Sequence, residues 1–386
     1  MMNGFHLLLT LDYELPADGL GEVRRDILAP TRALLDICER HQAPLTIMAE
    51  VGELWAFERE DNAGFPRSLH YDPACAIRQQ LVEAVRRGHD VQLHLHPQWI
   101  QAKWRDGRWS LDYGHYRLTD FSNDDMAAHL HSAKACLENL LSPVEPEYRC
   151  LGFRAGHWNT SPSGRYLAAL LSAGLQSDTS VFKGGFCQNA AVAYDYRDAY
   201  SQVKAWYAHP QDINRSVPQT GVLIVPIATE RVPLIRMLSP RRLWLARRYL
   251  REDRLITAAA GQVRSTDPSS WLTRLKRLNP LASHPRKLDF CKLTSSQLLR
   301  ATARLMRKYA GEAACQPIPL VLIGHSKQVG SGANVDVFLQ KLVDRFGSQI
   351  HFSTYQHFVQ LYRQWPDVRG NGLDGKEHAH VQADSH

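Results

Sequence analysis

The residues best suited to chemistry lie in Gly88-His89-Asp90-Val91-Gln92-Leu93-His94-Leu95-His96-Pro97-Gln98-Trp99. In an extended chain residues i and i+2 face the same side, so His94 and His96 present two imidazoles to one spot. Two neutral imidazoles at a strand end suit a borderline metal such as zinc. Taken alone, the pair reads equally well as partly buried histidines bonded to backbone carbonyls. Asp12 and Glu14 share the same two-residue spacing. One carboxylate with two imidazoles makes a three-ligand site that leaves a position for water. In such a centre the metal lowers the pKa of water and polarises a carbonyl. A second carboxylate takes the proton, and an imidazole protonates the leaving amine or alcohol. Asp12 and Glu14 can divide the ligand and base roles either way. Arg154 is the candidate for holding the base ionised, and His325, after an apolar run and Gly324, suits the acid.

The elements that must carry these residues follow from periodicity. Short apolar runs predict strands over 5–11, 44–50, 88–96, 148–153, 175–181, 222–227, 319–324 and 350–353. Helical spacing predicts helices over 25–41, 76–87, 123–141, 163–174, 295–309, 336–346 and 356–365. Residues 100–121, rich in Trp, Tyr and Gly, read as an excursion from that scaffold. Alternation of strand and helix implies a parallel sheet, and seven or eight units favour a barrel. Working residues of such barrels sit at the carboxyl ends of strands. Asp12/Glu14, His94/His96, Arg154, Asp178 and His325 all fall there, which adds Asp178 to the catalytic candidates. The predicted organisation is a barrel over 1–229 and 291–365, a basic helical insertion over 230–290, and a disordered tail over 366–386.

The chain has 386 residues, 44% hydrophobic and 22% charged, with a formal net charge of +7. These are ordinary values for a globular protein. No nucleic-acid motif accompanies the modest charge, so no nucleic-acid partner is expected. Seven scattered cysteines without CxxC spacing predict reduced thiols. The apolar stretch at 5–11 is too short for a signal peptide or a membrane span, so a cytoplasmic protein is expected. Segment 230–290 holds fourteen Lys/Arg against five Asp/Glu. It reads first as a solvated helical insertion packed by its Leu/Trp stripe, and second as a peripheral contact with the inner membrane surface.

Five stretches in order carry a resemblance: Thr10-Leu11-Asp12-Tyr13-Glu14, Gly88-His89-Asp90 with His94, Phe153-Arg154-Ala155-Gly156, Ser177-Asp178-Thr179-Ser180 and Ile323-Gly324-His325-Ser326. Together they resemble the polysaccharide deacetylase (NodB-like, carbohydrate esterase family 4) pattern. The histidine stretch is similar to a WbmS-like bacterial subgroup found with surface-polysaccharide genes. The resemblance implies a distorted (β/α) barrel, a divalent metal (usually zinc), and hydrolysis of an N- or O-acetyl group on a sugar. It implies Asp12 as base, Glu14 and His94 as ligands, Arg154 as the arginine orienting the base, and His325 as general acid. Where the family has its second histidine, this chain has Gln98; His96 substitutes, or the metal is held more weakly, or it is absent. The first motif reads acid-x-acid rather than two adjacent aspartates, which keeps the roles of Asp12 and Glu14 open. Trp99, Trp158 and the aromatic segment 104–116 are the candidates for stacking on sugar rings. The expected activity is metal-dependent removal of a small acyl group from a glycan precursor. The alternatives are a metal-free barrel that binds glycan or organises a biosynthetic complex, and an amidohydrolase acting on non-sugar C–N bonds.

Overall fold

The computed structural model describes residues 3–16, 18–61, 71–188, 192–233 and 283–365. Its central strand is β1 (Gly4–Tyr13), whose residues from Phe5 onward are all buried. Near-continuous apolar sequence is what a parallel strand covered on both faces requires. β2 (Leu45–Glu50) and β3 (Asp90–Leu95) are buried along their whole length too. β4 (Lys103–Arg105) and β5 (Arg108–Ser110) form a small antiparallel ribbon within the aromatic excursion. β6 (Gly152–Ala155) and β7 (Ser177–Asp178) return to the main sheet, and β8 (Phe186–Gln188) and β9 (Ala193–Asp195) pair outside it. β10 (Trp206–His209), β11 (Asp212–Val217) and β12 (Leu223–Ile224) rejoin it. β13 (Thr229–Pro233) and β14 (Ser283–Lys287) form a separate antiparallel pair, and β15 (Pro317–His325) and β16 (Ile350–Phe352) complete the set.

The main sheet has ten strands in the order β11-β10-β12-β7-β6-β3-β2-β1-β15, with β16 beside β1. The run from β12 to β15 is parallel throughout. The outer edge of β15 meets isolated parallel bridges from Ile227 and Asp289. These bring the far end of the sheet round, so the architecture is a distorted (β/α) barrel. With β16, which is parallel to β1, eight strands point their carboxyl ends the same way.

Helices follow the strands and are capped by the expected chemistry. Asp72 accepts the Cys75 N–H ahead of Pro73–Arg86, Ser122 accepts that of Asp125 ahead of Asn123–Leu141, and Thr354 accepts that of His357 ahead of Tyr355–Arg363. Thr294 and Gln297 make a reciprocal capping box before Ser295–Lys308. The helix Val51–Asp61 is absent from the sequence expectation. It starts directly from β2 with no turn residue or cap to announce it. The strand expected over 148–153 begins only at Gly152. The amides of Leu151 and Gly152 donate to the Gln92 side-chain oxygen (2.9 and 2.7 Å) instead of to a ladder.

The segment read as a helical insertion over 230–290 opens and closes as strand: Glu230 pairs with Arg286 in the β13–β14 ladder. Residues 234–282 lie outside the described residues, as does the tail at 366–386. No described helix is long and apolar enough to cross a membrane.

Candidate hydrolytic centre

Parallel register gathers the polar residues at one rim. Asp12 on β1 lies opposite His325 on β15, and β3 sets His94 between Glu50 on β2 and Arg154 on β6. Asp12 and Glu14 are separated by one residue and stay on one face, as do His94 and His96.

Arg154 is fully buried. Its Nη1 donates to Asp12 Oδ1 at 2.5 Å, its Nη2 to Thr10 Oγ1 at 2.9 Å, and its Nε to the Thr179 carbonyl at 3.1 Å. Burial opposes ionisation of Asp12, but Arg154, then His325 and His94, hold its carboxyl below the usual range. The other oxygen, Oδ2, stands 3.5 Å from His325 Nε2. Asp12 is therefore an ionised carboxylate with one oxygen anchored and one turned to an imidazole, the arrangement a proton acceptor needs. Burial pushes His325 down to about 4, so its resting form is the neutral ring. In that form it has no proton to give, and the nearest titratable partner is Asp12.

Glu14 stands between the two histidines. Its Oε2 is 3.1 Å from His94 Nε2 and 2.8 Å from His96 Nε2, and its Oε1 accepts from Lys327 Nζ at 2.9 Å. Although burial works against it, Lys327 and His96 keep this carboxyl well below its ordinary value. His94 Nδ1 donates to the Arg154 carbonyl at 2.7 Å. That bond fixes the tautomer and turns the Nε2 lone pair toward the carboxylate. A lone pair facing a carboxylate oxygen demands a cation between them, either a proton or a metal ion. With the proton in that place, the Glu14 hydrogen bond outweighs burial and lifts His94 to about 9.

His96, not Gln98, faces Glu14. The Gln98 amide lies behind it, its Nε2 3.2 Å from both His96 Nδ1 and His157 Nε2. The buried Gln98 Oε1 has no partner among the described residues. Turning the amide over would place that oxygen on His96 Nδ1–H and leave the His96 Nε2 lone pair for an ion. Glu14, His94 and His96 thus form a carboxylate–bis-imidazole set that fits a divalent metal; Asp12, Glu14 and His325 also offer atoms within 4.8 Å of one another. The Glu50 carboxylate accepts the His96 and Gly52 N–H groups (2.6 and 2.8 Å) and holds the end of β3 in place. Burial pushes Glu50 up, and burial plus repulsion from Glu50 and Glu14 pushes Glu53 up further.

Two expected site residues lie elsewhere. Asp178 is sealed behind the rim: its Oδ2 accepts from Tyr166 Oη at 2.5 Å and Ser180 Oγ at 2.7 Å, and its Oδ1 accepts the Ser180 N–H at 2.8 Å. Ser180 Oγ in turn accepts the Ala155 N–H. Asp178 therefore braces the turn beside Arg154 and has no oxygen left to face a substrate. Trp99 is 1% exposed and packs on Phe57 and Trp109, so it fills the core and cannot stack on a sugar. Trp158 does reach the rim, edge-on to His325 with ring centroids 6.1 Å apart. Consecutive left-handed residues, His157 (φ 53°) and Trp158 (φ 57°), make the sharp turn that sets one ring on His96 and the other by His325. His157, Lys327, Lys287 and Asp289 carry no role in the sequence reading. Lys327 was visible as a polar residue just past an apolar strand; Lys287 and Asp289 belonged to the segment assigned to an insertion.

No protein-family model and no curated protein matches the chain. Solved structures with a similar course include a "putative polysaccharide deacetylase" from Mycobacterium smegmatis (11% identical, 94% of this chain and 91% of that chain covered, TM-score 0.48). A "probable Polysaccharide deacetylase" from Pseudomonas aeruginosa PAO1 is 14% identical over 94% of this chain and 93% of that chain, TM-score 0.45. "Puue Allantoinase" is 12% identical over 93% of this chain and 90% of that chain, TM-score 0.45.

Proposed function

We propose that the protein is a metal-dependent hydrolase that removes an acetyl or other small acyl group from a sugar or glycan precursor. The observation that carries the reading is the juxtaposition of two differently built carboxylates: Glu14 flanked by two imidazole nitrogens, and Asp12 held by a buried arginine beside His325. Glu14, His94 and His96 hold the ion, with zinc the choice that a carboxylate–bis-imidazole set favours. When bound, the ion supplies an activated water and polarises the acyl carbonyl. Asp12 takes the proton from the nucleophile through the oxygen that Arg154 leaves free. His325 relays that proton to the leaving nitrogen or oxygen. Arg154 keeps Asp12 ionised and aimed, Glu50 keeps His96 in place, and Trp158 borders the leaving-group side.

The test is metal analysis of purified protein together with acetate release from acetylated sugars, with cyclic and linear amides alongside. Stoichiometric zinc is expected, and His94→Ala should abolish it. Asp12→Asn should keep the metal and lower kcat by about 10²–10⁴-fold. Turnover of amides but not of sugars would place the same centre among amidohydrolases. Lys327 on Glu14 and Gln98 in place of a ligand favour a second reading, a metal-free barrel that binds glycan. Absence of metal under every loading condition, with sugar binding retained, would select it.

A further inference from the structure

Among the described residues near the rim, three acids each have a cation of their own and one amine has no acid. Asp12 pairs with Arg154 at 2.5 Å, Glu14 with Lys327 at 2.9 Å and Asp289 with Lys292 at 2.9 Å. Each of these acids has its own cation. Lys287 is left over: among the described residues it has no hydrogen bond or ion pair. Its Nζ instead lies over ring faces, 3.1 Å from the Trp158 centroid and 4.3 Å from that of Phe182. The same indole meets His325 edge-on, so the amine stands one ring away from the imidazole beside Asp12. The Trp158 Nε1–H is also buried without an acceptor among the described residues.

Lys287 is placed there by the β13–β14 ladder. Its neighbour Arg286 turns the other way, its Nε bonding Glu230 at 3.0 Å, while Arg304 Nε takes the second Glu230 oxygen at 3.0 Å. That buried clasp ties the strand to the helix Ser295–Lys308. Alternation along the strand then points Lys287 to the opposite side, toward Trp158. Ring faces hold a cation without neutralising it, and two donors lacking acceptors beside a reaction centre call for an acceptor-rich ligand.

We propose that Lys287 and Trp158 form a subsite for an anionic group, a carboxylate or a phosphate, on the acylated sugar that reacts at the neighbouring centre. The assignment deepens the hydrolytic reading and rests on it for the identity of the reacting group. Burial and the nearby Lys292 push the Lys287 amine well below its ordinary value, and an incoming anion would raise it again.

Calorimetric titration of the whole protein with D-glucuronate, D-glucose 1-phosphate and neutral D-glucose tests the subsite. None of these probes carries an acyl group, so binding is read without turnover and independently of whether the hydrolytic reading stands. At least one anionic probe should bind about tenfold or more tighter than glucose, and the stronger of the two tells carboxylate from phosphate. The preference should vanish in Lys287→Met and Lys287→Gln and survive in Lys287→Arg, with circular dichroism confirming the fold of each. Equal binding of charged and neutral probes by the unaltered protein would overturn the proposal. So would an anion preference that persists in a folded Lys287→Met or Lys287→Gln variant. Anion binding without acyl hydrolysis would retain the subsite and remove only the reaction beside it.

Discussion

Each charged side chain of the centre is held by a partner distant in the chain, and that partnership sets its chemistry. Arg154 and Asp12 are both buried and share a 2.5 Å hydrogen bond. Arg154→Met would leave a buried carboxylate without its cation, a loss of about 3–5 kcal/mol. Adding Asp12→Asn should restore a good part of it, because the double variant has no stranded charge. A denaturant-unfolding cycle of the four proteins measures the coupling; strict additivity would show that the pair does not act as a unit. His89 is a second case, away from the rim. Its Nδ1 accepts the Leu45 N–H at 3.0 Å, and burial, with Arg87 nearby, pushes the ring down to about 4. The folded value lies below the unfolded one, so between roughly pH 6.5 and 4 the unfolded chain binds more protons and stability is lost as the pH is lowered. The share from His89 is on the order of 3 kcal/mol. His89→Gln keeps an acceptor but cannot titrate, and its unfolding free energy should fall less steeply over that window. Parallel slopes for both proteins would refute this.

At the scale of elements, strand ends and tight turns bring the residues within reach of one another. The turn after β6 is tightly packed: a Cβ on Gly156 would lie 2.8 Å from the Leu95 carbonyl oxygen and 2.9 Å from the His96 ring. Gly156→Ala must push β6 and His96 apart. The expected result is a cost of about 1–3 kcal/mol in stability and metal affinity lowered by tenfold or more, read by competition with a chromophoric chelator. Unchanged affinity would mean that His96 is not a ligand. The parallel strands and most helices were legible from the sequence because apolar runs and helical spacing are local properties of the chain; the antiparallel strands, β10 and β11 of the main sheet among them, were not. The helix Val51–Asp61 was not, because it follows β2 without a break and holds Gly52 near its start. That glycine is required by proximity: a Cβ there would meet Glu50 Oε1 at 2.8 Å and Trp99 Cβ at 3.0 Å. Nor was the late start of β6, since a glutamine side chain from β3 occupies the amides that a ladder would have used.

For the whole molecule, the ion would bridge β1 and β3 and so should stabilise the barrel by mass action. At one hundred times its dissociation constant, zinc is expected to add about 2.7 kcal/mol. Without the ion, His94 carries a proton up to about pH 9. Its folded value exceeds the unfolded one, so its contribution to ion-free stability is complete below about pH 6.5 and lost as pH rises through 9. Binding zinc at pH 7–8 should therefore release close to one proton from this group. Calorimetry in buffers of different ionisation enthalpy measures it, and the release should disappear in His94→Ala along with the thermal shift. From the sequence alone came the residue types, their two-residue spacings and their positions at the ends of apolar runs, all of which depend on neighbours along the chain. Only the tertiary structure decided that His96 rather than Gln98 faces Glu14, that Trp99 and Asp178 turn away from the rim, and that Lys287 reaches it. Those outcomes depend on the register between strands and on packing among residues far apart in sequence, and no local pattern encodes either.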